Sequence, residues 1–97
     1  MAKYPIRCRG KKGDIIGYFT INDVLVKDFD GYPMYFGKLI DSTGKIVGSY
    51  RCYTKSFPLR PIWWDKKGNK HFSGYFCYRL GARISDILNG YYEECPF

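Results

Sequence analysis

Apolar and polar positions alternate through the middle of this chain, and β-branched and aromatic runs bounded by Gly, Pro, Asn and Asp on either side of it also read as strands. The clearest stretch is residues 31–54, which predicts two long strands closed by the turn Asp41-Ser42-Thr43-Gly44. Gly44 falls where a three-to-four-residue hairpin loop needs positive φ, and Lys45 starts the return strand. Upstream, residues 3–9 predict a first strand that Pro5 restricts to an edge. The β-branched and aromatic run 15–21 predicts a second, and residues 24–29 a third. Asn22-Asp23 reads as a tight turn in preference to a bulge in one longer strand, and Asp30-Gly31 as a two-residue hairpin signal. Residues 54–61 hold two prolines and predict an extended connector. A short strand at 62–64, a turn at 65–69 and a last long strand over 70–80 follow. Ile84, Ile87 and Leu88 share a helical face that stops at Asn89-Gly90, and residues 91–97 form an irregular tail.

In the central hairpin the even positions (Met34, Phe36, Lys38, Ile40, then Ile46, Gly48, Tyr50, Cys52) are the more apolar and are expected to face the core. Glycines inside predicted strands, at 17, 37, 48 and 74, permit sharp coiling. The expected fold is therefore mainly β: a strongly bent antiparallel sheet or barrel of five to seven strands with one short C-terminal helix. It resembles, in architecture alone, small barrels of the oligonucleotide-binding (OB) or SH3-like size.

Ninety-seven residues make a single domain, 1–97. Such a chain buries about 60–65% of its unfolded surface, too little to enclose ten Tyr, seven Phe and two Trp together with the aliphatic residues. Some aromatics must lie on the surface, where Tyr keeps its hydroxyl wet. No run approaches the roughly 20 apolar residues of a membrane span, and the N-terminus shows no secretory signal. A cytoplasmic protein with reduced cysteines is expected.

The net charge of +7 is segregated. Residues 1–12 carry five cations and no acid, and residues 45–83 carry nine cations against Asp65 alone. This pattern points to an acidic partner such as nucleic acid.

Candidate chemistry is thin. The four cysteines form no closely spaced pair and His71 is the single histidine, so neither a metal nor another cofactor is expected. Gly10-Lys11-Lys12-Gly13 lacks the context of a phosphate loop. A pairing of His71 with Cys52 across strands has no motif behind it.

The strongest constellation interleaves aromatic and basic residues from Tyr50 to Phe72. Cations that track phosphates, with aromatic faces that stack on bases, hold single strands in this way. The candidate binding residues are Arg7, Arg9, Lys11, Lys12, Tyr50, Arg51, Tyr53, Lys55, Arg60, Trp63, Trp64, Lys66, Lys67, Lys70 and His71. Trp63 and Trp64, being adjacent on a strand, must point to opposite faces. In a seven-strand meander the Lys11-Lys12 and Lys66-Lys67 turns fall at opposite ends, and they join only if residues 54–61 cross over.

The expected function is a non-enzymatic binding module for single-stranded nucleic acid. The alternative is a small protein-binding inhibitor or accessory factor of phage type, acting on a host enzyme or ribonucleoprotein. A metal-free ribonuclease is a lesser alternative.

Overall fold

The computed structural model describes residues 3–8 and 13–91. Seven strands, β1 (Tyr4–Arg7), β2 (Ile15–Phe19), β3 (Val26–Lys27), β4 (Pro33–Ile40), β5 (Ile46–Tyr53), β6 (Ile62–Asp65) and β7 (Lys70–His71), precede one helix, α1 (Tyr75–Leu88). They form a single antiparallel sheet in the order β1-β2-β4-β5-β6-β7, with β3 also paired to β4. The sheet is open, with β1 and β7 at its edges.

Three hairpins share one device that the sequence spells as Asp-x-x-Gly. Asp28, Asp41 and Asp65 open the turns, and Gly31, Gly44 and Gly68 occupy their positive-φ positions (84°, 89° and 83°). In each, one Oδ accepts two backbone N–H groups. Asp28 takes those of Asp30 and Tyr32, Asp41 those of Thr43 and Lys45, and Asp65 those of Lys67 and Asn69, all at 2.9–3.0 Å. The carboxylate thus satisfies donors that the turn would leave open.

The expected turn at Asn22-Asp23 is absent: β2 and β3 both run antiparallel to β4 along the same side of it. Asn22 explains this. Its N–H donates to the Phe36 carbonyl, its Oδ1 accepts the Phe36 N–H at 3.0 Å, and its Nδ2 donates to the Val24 carbonyl at 2.8 Å. The side chain stands in for a ladder carbonyl, so the chain bulges and continues instead of reversing. One fewer reversal also changes the geometry of the turns. The C-terminal end of β1, the β4–β5 turn and the β6–β7 turn lie at the same end of the sheet, with β1 and β7 at opposite edges.

A second bulge corrects the facing of the hairpin. Ile40 pairs with Ile46, but Leu39 pairs with Gly48, which leaves Val47 as an extra residue in β5. Beyond it, odd positions of β4 face even positions of β5: Gly37 opposes Tyr50 and Tyr35 opposes Cys52. A one-residue insertion moves every later side chain to the other face. The core face is therefore Tyr35, Gly37 and Leu39 with Tyr50 and Cys52, and Phe36 and Lys38 point out.

The predicted strand over 70–80 is also corrected: only Lys70 and His71 pair, and residues 75–88 are helical. Aromatic content suggested a strand, but Phe76, Leu80, Ile84 and Ile87 recur at helical spacing and pack on the core with Ile6, Phe19, Leu39, Tyr50, Cys52 and Leu59. Gly74, at φ 106°, divides strand from helix, and Asn89 with Gly90 closes the helix as expected. A Cβ at Gly81 would overlap the Leu59 carbonyl, so this glycine lets the helix sit directly on the proline-containing connector. Two arginines are buried with the helix. Arg79 Nε donates to the Arg7 carbonyl at 2.7 Å, and Arg83 Nη1 donates to Asp86 at 3.1 Å. Among the described residues no helix is long and apolar enough to cross a membrane.

Candidate functional site

Because α1 covers one face of the sheet, the other face is defined by strand register alone. Lys38, Ser49, Trp64 and Lys70 form one cross-strand row over β4, β5, β6 and β7. Phe36, Arg51 and Ile62 form the next row, and Met34 and Tyr53 a third. Residues directly opposite in a ladder share a face. The surface so assembled carries three cations and three aromatic rings, and no carboxylate occupies any of its strand positions. Phe36 and Tyr53 are each 38% exposed.

Two recesses open on this face. One of about 550 Å³ is walled by Phe36, Lys38, Ser49, Arg51 and Trp64, with the Thr20–Asn22 backbone on its flank. The other, of about 340 Å³, is walled by Lys27, Asp28, Phe29, Met34, Arg51 and Tyr53. Both volumes fall within the range of about 300–1,000 Å³ usual for ligand sites. Arg51 borders both. Its Cζ lies 5.9 Å from the centroid of the Trp64 ring, a cation–π distance, and among the described residues it forms no ion pair with a carboxylate.

Of the residues singled out from sequence, Arg51, Tyr53, Trp64 and Lys70 converge here. Tyr50 does not. The Val47 bulge turns it inward, where it is 1% exposed and its hydroxyl donates to the Thr20 carbonyl at 2.7 Å. Burial raises its pKa. Gly37, opposite Tyr50, makes room for that carbonyl, which a Cβ would overlap. Trp63 also lies on the helix side, stacked on His71 with centroids 4.0 Å apart and tilted against Phe76 at 5.2 Å. Each tryptophan thus takes one face, as strand alternation requires.

His71 follows Trp63. Its Nε2 sits 3.0 Å from Asp65 Oδ2, and that hydrogen bond is the main reason the Asp65 carboxyl is pulled down to about 2. Lys55 pairs with Asp30 at 2.6 Å, and Arg60 is exposed on the connector. Lys66 and Lys67 are exposed in the β6–β7 turn. Arg7 Nη1 donates to the Gly13 carbonyl at 2.9 Å. Arg9, Lys11 and Lys12 lie outside the described residues.

Phe36, Lys38, Met34 and Phe29 were missed by sequence reasoning. A signal was present: Lys38 stood on the face assigned to the core, and an unpaired lysine in a core is an inconsistency that should have moved that face outward.

The pairing of Cys52 with His71 has no chemical basis. Cys52 is fully buried and its thiol is pushed up to about 12 by burial, so it stays neutral near pH 7. Cys77, also raised by burial, donates its Sγ to the His71 carbonyl at 3.8 Å. Among the described residues, no three His, Cys, Asp or Glu side chains cluster so as to hold a metal ion. Comparison with protein-family models, curated proteins and solved structures finds no match to this chain.

Proposed function

We propose that the uncovered face of the sheet binds single-stranded nucleic acid. The observation that carries this is the alternation in register of Phe36, Arg51, Tyr53 and Trp64 with Lys38 and Lys70, on strand positions that hold no carboxylate, Asp28 of the β3–β4 turn reaching only the smaller recess. Cations there meet phosphates, and the rings meet base faces, which every base offers regardless of sequence. The free thiols of Cys8, Cys52 and Cys77 support a reducing, cytoplasmic setting.

Titration of a fluorescent oligonucleotide tests this. Binding should weaken with salt with a log–log slope near −2, from three phosphate contacts at about −0.7 each. Absence of binding at low salt rejects it.

A second observation favours a protein partner. Phe57, Phe72, Tyr75 and Tyr78 are all more than half exposed around the start of α1. Phe57, Phe72 and Tyr78 border two small recesses, of about 130 and 160 Å³, that share Pro58, Leu59 and Tyr78. Aromatic anchors of this kind dominate protein interfaces, and an inhibitor or accessory factor would use them. Pull-down from lysate with and without nuclease separates the two: capture that survives nuclease belongs to this second surface.

A further inference from the structure

We infer that the uncovered face is built for a two-nucleotide step, with Arg51 holding the phosphate between two bases. The inference rests on the nucleic-acid reading above and sharpens it from a charged surface to a site of defined length. Arg51 is the strand residue common to both recesses. On one side of it the larger recess offers the rings of Trp64 and Phe36. On the other, the smaller offers Tyr53 and Phe29, the latter fully exposed. Along β5 the levels of Trp64 (opposite Ser49), Arg51 and Tyr53 are two residues apart, a spacing of about 6.5 Å per level. That is about the reach from a phosphate to the base on either side of it, so a dinucleotide with its bases splayed apart along β5 presents base, phosphate and base in turn.

The charges agree with this placement. Arg51 is exposed and, among the described residues, is in no ion pair, with Asp28 the one carboxylate bordering its smaller recess, so its fork of donors is open to a phosphodiester. Lys38 and Lys70 stand on either side of Ser49 and Trp64 in the top row, where they meet the phosphate beyond the larger recess. The smaller recess holds Lys27 beside Asp28, so its net charge is near zero and no phosphate is drawn past it. The ligand class is therefore a dinucleotide unit of a single strand, anchored by one internal phosphate and one on the Trp64 side.

The experiment compares adenosine, the dinucleoside monophosphate ApA, its uncharged methylphosphonate analogue and the octanucleotide A8, each titrated at low salt. Against wild type, ApA should bind at least about tenfold more tightly than adenosine, since a second stack and a phosphate contact are added. The methylphosphonate should keep the second stack's share of that gain and lose the phosphate's. R51M should lose the same phosphate share for ApA and show no further loss with the methylphosphonate, while R51K retains part of it. Arg51 is exposed, and an unchanged circular dichroism spectrum of R51M excludes misfolding. If A8 binds but ApA is no better than adenosine, or R51M discriminates the two linkages as wild type does, the two-base site is wrong and the broader reading stands. If A8 does not bind, both fall.

Discussion

On the helix-covered face of the sheet, Tyr50 is sealed from water and its hydroxyl is committed to one carbonyl. On the other face its neighbour Arg51 is exposed, its Cζ over the Trp64 ring at 5.9 Å from the centroid. The same contrast separates Trp63, stacked on His71, from Trp64, and His71, bonded to Asp65, from Lys70. On one face Tyr50, His71 and Arg79 each have a partner within the protein, as burial demands, and Arg83 bonds Asp86 through Nη1 while its Nε is left without one. On the other the cations have solvent. Residues that the sequence places side by side thus divide into those that hold the fold and those left over for a ligand.

Truncation should expose this division most strongly. Leu80→Ala removes a fully buried side chain of the core and should destabilise the domain by about 2–5 kcal/mol, a large part of the stability of a domain this size. Urea denaturation measures it. A loss below about 1 kcal/mol would mean that α1 is not the cover it is taken to be.

The tryptophans sharpen the comparison. Trp63→Ala should cost about 3 kcal/mol of stability, because a ring packed between His71 and Phe76 is lost. Trp64→Ala should cost about 1 kcal/mol or less, yet weaken oligonucleotide binding by roughly 5- to 150-fold, the worth of one stacked base. If the two substitutions weaken binding equally once folded protein is corrected for, the faces do not divide the labour.

How far these faces were legible in the sequence depends on where a single residue changed the count. The turns at Asp41 and Asp65 were legible because their chemistry is local: Asp41 and Gly44 close their hairpin with bonds made within five residues, whereas the two-residue hairpin expected at Asp30-Gly31 is a wider loop over residues 28–32 that Asp28 opens. Strand alternation was legible too, and it divided Trp63 from Trp64 correctly. The face of β4 was not, because Val47 inserts one residue into the ladder and no residue type announces a bulge. Asn22 likewise accepts a bond from Phe36, fourteen residues away, so its role is set by tertiary pairing. The helix is the instructive miss. Phe76, Leu80 and Ile84 carried the helical period, and β-favouring aromatics outweighed it in the sequence reading although propensity is weaker evidence than period.

The finest form of the comparison is between His71 and Lys70, adjacent on β7 and on opposite faces. Asp65 serves His71 and the β6–β7 turn, and its carboxyl is held near 2 against an ordinary value of 3.8. A carboxyl lowered on folding contributes stability that is complete above about pH 4 and is lost as pH falls through about 2. The difference in melting temperature between wild type and Asp65→Asn should therefore be constant from neutral pH to about pH 4 and shrink below it. Salt dependence of oligonucleotide binding at neutral pH should be the same in both. Lys70→Gln should do the reverse, leaving the acid branch of the stability curve in place while the salt slope falls by about 0.7, one phosphate contact. If Asp65→Asn changes that slope, or Lys70→Gln moves the acid branch, the turn end of the sheet couples its two faces, and the charges there cannot be divided between fold and ligand.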